Sequence, residues 1–90
     1  MKISFIGSGN VATYFAKQLF QKGITIHQIF SPTEAHAQQL ATSVNAQAIA
    51  TWDSIDATAD VYFIAIKDDA FHLINTYPVF QNKVLIHCSG

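Results

Sequence analysis

Six consecutive residues, Gly7-Ser8-Gly9-Asn10-Val11-Ala12, carry the clearest chemical pattern in this 90-residue sequence. Gly7 permits a tight turn, Gly9 lets the backbone approach another group with no Cβ in the way, and Ala12 allows a helix to pack closely on a strand. The context supplies the meaning, because the apolar run Ile3-Ser4-Phe5-Ile6 precedes the turn and a helix-period segment follows it. N–H groups left free at such a helix start, aligned with the helix dipole, hold an anion without any lysine. The pattern therefore predicts a cradle for the pyrophosphate of a dinucleotide, lined by Gly7, Ser8, Gly9, Asn10 and Val11. An ordinary glycine turn between strand and helix is the competing reading.

The next informative position lies about 20 residues beyond the turn, where NAD-specific folds place an acidic residue on the ribose hydroxyls. Here the sequence reads Phe30-Ser31-Pro32-Thr33. A carboxylate would repel a 2′-phosphate, so its absence, with the hydroxyls of Ser31 and Thr33 at a helix start, favours NADP over NAD. Ser31 also has a purely local role open to it, as the cap of its helix. Lys67, Asp68 and Asp69 follow a predicted strand and reach the carboxyl edge of the sheet, where ligands bind in open parallel folds. For either aspartate the N-cap of the following helix is the favoured role over direct chemistry. His87, Cys88, Ser89 and Gly90 follow the last strand at the same edge, and His87 is the titratable candidate there, against the alternative of a histidine satisfied at a strand end. Cys88 reads as a small apolar residue. His27, His36 and His72 have no metal-ligand spacing among themselves or with Cys88, so no metal is expected.

The elements that must position these residues follow from periodicity. Runs rich in β-branched residues predict five strands: Ile3 to Ile6, Ile24 to Phe30, Ala48 to Ala50, Val61 to Ile66 and Val84 to His87. The fourth is apolar throughout, as a central parallel strand covered on both faces would be, with the Tyr62 hydroxyl as its one awkward atom. Val11, Phe15 and Leu19 recur beside Ala12, Ala16 and Phe20, and Gly23 stands where a left-handed cap belongs. Ser31-Pro32-Thr33-Glu34 reads as a capping box opening a second helix, with Ala37, Leu40, Ala41 and Val44 as its buried stripe. A third, shorter helix is predicted from Asp68 or Asp69 through Ala70, Leu73, Ile74 and Tyr77, ended by Pro78. Strict alternation forces right-handed crossovers, giving an α/β doubly wound parallel sheet of the Rossmann type with strand order 3-2-1-4-5.

Composition narrows the function classes. Half of the residues are hydrophobic and 12% are charged, which excludes a disordered chain. A formal net charge of -1 without a Lys/Arg run leaves no electrostatic footprint for nucleic acid or an anionic membrane. No signal-peptide pattern precedes the first strand, and a single cysteine agrees with a reducing compartment, so a cytoplasmic protein is expected. Residues 1–90 form one dinucleotide-binding domain, expected to be the N-terminal part of a longer enzyme because a complete fold of this type adds a sixth strand.

Over all 90 residues the chain resembles the N-terminal domain of the NADP oxidoreductases related to pyrroline-5-carboxylate reductase and the deazaflavin-dependent NADP reductases. The resemblance rests on the Gly7 to Ala12 turn, Phe30-Ser31-Pro32-Thr33, the Val61 to Asp69 strand with its acidic end, and His87-Cys88-Ser89-Gly90. It implies hydride transfer between a nicotinamide cofactor, NADP in first place, and a small substrate held by a further domain, through which a homodimer would also form. In that family an arginine typically follows the strand-end serine and would meet the 2′-phosphate, whereas this sequence has Pro32. Without the second wall of the site, these residues alone are expected to bind cofactor weakly and to catalyse nothing. The rival is a nucleotide-sensing regulatory module of the same fold, although such sensors normally carry an acid at the second strand end. A plain interaction domain that has lost its ligand would not need the glycine turn intact.

Overall fold

The computed structural model describes residues 1–31, 33–66, 76–80 and 83–87, with the backbone alone at Glu34 and His87. Five strands, β1 (Lys2–Ile6), β2 (Thr25–Phe30), β3 (Gln47–Ile49), β4 (Val61–Ile64) and β5 (Val84–His87), form one sheet in the order β3-β2-β1-β4-β5. All four pairings are parallel. Helices α1 (Asn10–Gln21) and α2 (Glu34–Ser43) make the first two crossovers. This is the doubly wound sheet that alternation requires, with its switch point between β1 and β4.

One face of the sheet packs on both helices, through Ile3, Phe5, Ile26, Ile29 and Phe63 against Ala12, Ala16, Ala37, Leu40 and Val44. The alanines matter most on α1: Ala12 and Ala16 are fully buried, and Phe15 and Phe20 ride at the rim, 39% and 41% exposed. The predicted face is thus buried at its centre by the two alanines, which let the helix approach the sheet closely, with Val11 and Leu19 packed beside them and the Phe15 ring 5.2 Å from that of Phe63. All four residues expected to line α2 are buried. On the other face Phe30, Ile49, Tyr62, Ile64 and Phe80 form a second core, covered by Trp52 and Tyr77. The Trp52 and Tyr77 rings stack at a centroid distance of 5.4 Å.

Strand β2 departs from simple alternation. Its register against β1 shifts between the pairs Ile3/Ile26 and Phe5/Ile29. The extra residue lets Ile26 and Ile29 both join the helix-covered core. Gln28 is buried, and its amide is fully used: Nε2 donates to the Ser54 carbonyl at 3.1 Å and Oε1 accepts from the Asp56 N–H at 3.0 Å. The Tyr62 hydroxyl, unplaced by the sequence, donates to the Asp56 carbonyl. These bonds pin the connection between β3 and β4 under the sheet.

Both helix ends follow from backbone chemistry. Gly23 has φ +87, and the bonds Gly23 N–H to Phe20 O and Ile24 N–H to Leu19 O, each 3.1 Å, close a Schellman motif. Ile24 is thus a cap residue and β2 starts one residue later, at Thr25. Asn45 takes the same left-handed role after α2, at φ 56. Strands β3 and β4 end at Ile49 and Ile64, short of the predicted Ala50 and Ile66. The predicted third helix lies mostly outside the described residues; Pro78, expected to end it, opens a 3₁₀ turn at Pro78–Phe80.

Candidate functional site

The Gly7 to Gly9 turn leaves β1 at the carboxyl edge of the sheet, where three strands are tied together. Gly7 N–H donates to Phe30 O at 2.7 Å, and Ala65 N–H donates to Ile6 O at 2.8 Å. The two glycines of the turn differ in what requires them. Gly7 is buried at φ +118, and a Cβ there would stand 2.3 Å from the Ala65 carbonyl oxygen. The fold itself demands glycine at that position. Gly9 has φ -72 and ψ -171, open to any residue, and a Cβ built on it meets nothing within 4 Å. Among the described residues no neighbour accounts for glycine at this position.

Gly9 is also the N-cap of α1, and it offers no side chain to the N–H groups behind it. The first helical bond runs from Thr13 N–H to Gly9 O at 2.9 Å, so the N–H groups of Asn10, Val11 and Ala12 precede the internal ladder. No acidic residue occupies the first turn. Ser8 is half-buried and its carbonyl accepts from the Thr13 hydroxyl at 3.3 Å, which holds the turn against the helix. Val11 packs its side chain on the core, leaving its backbone as what it can present.

The end of β2 differs from the expected capping box. Helix α2 opens at Glu34 with Thr33 as its N-cap, and Thr33 makes no side-chain cap bond. Ser31 is 4% exposed; its N–H donates to Ile49 O at 3.1 Å and its Oγ accepts from Thr33 N–H at 3.1 Å. Sheet-like pairing with β3 thus keeps Ser31 out of the helix, and its hydroxyl closes a turn that delivers the exposed Thr33 to the helix start. Pro32 lies outside the described residues.

A groove of about 450 Å³ runs from this turn between α1 and α2. Ser8, Gly9, Asn10, Thr13 and Lys17 line one side, and His36 and Gln39 the other. The sequence held a signal for it that periodicity of apolar residues does not read: Asn10, Thr13 and Lys17 recur on one face of α1, as His36, Gln39 and Ser43 do on α2. Lys67, Asp68, Asp69, Cys88 and Ser89 lie outside the described residues, and His87 is placed by its backbone as the last residue of β5.

A second polar cluster sits at the opposite, amino edge of the sheet. His27 Nε2 meets Asp56 Oδ2 at 2.7 Å, and the Thr58 hydroxyl donates to Asp56 Oδ1 at 2.7 Å. Burial pushes the Asp56 carboxyl up, but the bonds from Thr58 and His27 outweigh it and bring the pKa down to about 2. Lys2 closes the cluster, with its N–H on Asp60 Oδ2 at 2.8 Å and its ammonium on the Thr58 hydroxyl at 3.3 Å. The cluster locks the β3 to β4 connection to β1 and β2. No described helix is long and apolar enough to cross a membrane.

Comparison with known proteins agrees with this architecture. A Bacteroides fragilis protein classed as an NADP oxidoreductase superposes with a TM-score of 0.86 at 33% identity, over 98% of this chain and 35% of that one. A Corynebacterium glutamicum myo-inositol dehydrogenase shares the fold at TM-score 0.83 and 21% identity, over 97% of this chain and 27% of its own. An imine reductase variant from Myxococcus stipitatus, solved with NAD+, does so at TM-score 0.82 and 18% identity, over 98% and 31%. The chain thus spans about a third of the length of these proteins. No curated protein matches it by sequence. Residues 2–89 match the family described as NADP oxidoreductase, coenzyme F420-dependent, and the chain belongs to that family as its Rossmann-type nucleotide-binding domain.

Proposed function

We propose that this domain holds NADP(H), with the pyrophosphate on the Gly7 to Val11 turn and the adenosine ribose beside Ser31 and Thr33, and that the longer protein uses it for hydride exchange with a small substrate. The observation that carries the reading is Gly9. Neither backbone conformation nor any atom of the described residues requires glycine there, which fits space left open for a ligand beside a helix start without a side-chain cap. An anion is what the N–H groups of such a start bind. The bound nicotinamide supplies the hydride; the chain's own residues bind and orient it. Gly9 through Ala12 offer backbone donors to the pyrophosphate, and Ser8 and Thr13 brace the turn. Ser31 acts by positioning Thr33, whose exposed hydroxyl is the group available to the ribose. Lys67 and Asp68, which follow β4 in the sequence, and His87, the last residue of β5, are assigned to the nicotinamide half.

NADP in preference to NAD follows from the lack of a carboxylate at Phe30-Ser31-Pro32-Thr33. Titration of the protein with NADPH and NADH, followed by cofactor fluorescence, tests both parts: saturable binding with NADPH the tighter ligand is expected. Absence of binding to either would end the dinucleotide reading, and tighter NADH would end the NADP preference. Adding coenzyme F420 or small imines and carbonyl acids to the longer protein with NADPH tests the redox reaction, and lack of cofactor oxidation with all of them would argue for the sensor alternative.

A further inference from the structure

We propose that Lys17, assisted by the ring N–H of His36, supplies the cationic contact to the adenosine 2′-phosphate from across the groove between α1 and α2. The inference rests on the NADP reading above and names the residues that would enforce it. A bound 2′-phosphate carries charge that needs a charge-assisted donor, and this sequence has no arginine at all. Its five lysines and arginines are therefore the five lysines. Lys2 is engaged with Thr58 at the amino edge. Lys83 donates to the carbonyls of Ala57 and Ala59, 2.6 and 3.4 Å away. Lys22 is the C-cap of α1, at the far end from the phosphate turn. Lys67 lies outside the described residues. Of the lysines among the described residues Lys17 is left, and it lines the groove that begins at Ser8, Gly9 and Asn10.

Helix geometry favours the contact. Lys17 lies two turns below Asn10, about 10 Å along the axis, and helical side chains lean back toward the N-terminus, so its long stem carries the ammonium up the groove. His36 approaches the same space from the first turn of α2, three residues past the Thr33 cap. Both side chains are exposed, and among the described residues neither has a carboxylate partner; the one ion pair there joins His27 to Asp56. Thr13 and Gln39 add neutral donors to the groove. A cation is thus supplied by helix faces rather than by the loop after β2, where Pro32 carries none.

The test is titration of NADPH and NADH into the full chain and into Lys17→Ala, Lys17→Arg and His36→Ala, with 2′,5′-ADP and 5′-AMP as competitors. Lys17→Ala is expected to raise the Kd for NADPH about tenfold and leave NADH unchanged, with Lys17→Arg keeping the preference and His36→Ala giving a smaller loss in the same direction. Competition by 2′,5′-ADP should weaken in parallel with NADPH. An equal effect of Lys17→Ala on both cofactors, or none on either, overturns the assignment while a wild-type preference for NADPH would leave the proposed function standing. A wild type that binds neither cofactor, or NADH more tightly, removes both.

Discussion

Replacing Gly9 with valine separates a ligand's need for glycine from the fold's. In the free protein the added Cβ has no atom of the described residues within 4 Å, on a backbone at φ -72. Valine is a poorer N-cap than glycine, which costs about 0.5–1 kcal/mol, and the stiffer unfolded chain returns about 0.4–1 kcal/mol. Net stability should change by less than about 0.5 kcal/mol. With a pyrophosphate present, the branched Cβ stands where the anion must approach, so at least two charge-assisted N–H bonds are lost at about 1.5–3 kcal/mol each. The cofactor Kd should therefore rise by roughly 10² to 10⁴-fold. Urea unfolding reads the first quantity and cofactor titration the second, with Trp52, the one tryptophan, as an intrinsic reporter of the fold. An unchanged affinity in a folded Gly9→Val protein refutes the assignment of the turn, and a collapsed fold refutes the claim that no neighbour requires glycine there.

Gly7→Ala should do the opposite, lowering stability by about 1–3 kcal/mol in chemical denaturation even without cofactor, since the added methyl meets the Ala65 carbonyl at positive φ; a neutral result would mean the turn relaxes freely. Tyr62→Phe removes the donor to the part-buried Asp56 carbonyl and should cost about 0.5–1.5 kcal/mol, read from the shift in urea midpoint. Asp56 has a folded pKa below its ordinary 3.8, so its bonds to Thr58 and His27 stabilise the protein above about pH 4, and the contribution falls away as pH drops through about 2. Because the carboxylate is 42% exposed, the stability gap between wild type and Asp56→Asn should be modest, about 1 kcal/mol or less at neutral pH, and should close on acidification. A gap independent of pH would assign the effect to packing.

The sequence by itself determined the order of the elements and the architecture. Apolar runs and helix periods are local, and once they alternate, the handedness of crossovers leaves few ways to assemble them, so β3-β2-β1-β4-β5 follows. The same locality made the glycine turn legible, since a strand, three small residues and a helix are adjacent in the chain. What only tertiary structure decided involves distances between elements that no spacing encodes. Gly7 and Gly9 look alike in sequence, but one is compressed against β4 and the other faces open space. Ser31 has the sequence of a helix cap, yet its N–H pairs with Ile49 of β3 while its hydroxyl closes a turn onto the Thr33 N–H, so the cap position passes to Thr33. Gln28 and Ile29 sit in a strand whose alternation fails at the register shift, a consequence of how β1 and β2 meet rather than of either run alone. Lys17 and His36 are 19 residues apart and belong to separate helices. Only the packing of α1 and α2 side by side on one face of the sheet brings them to a common groove beside the phosphate turn.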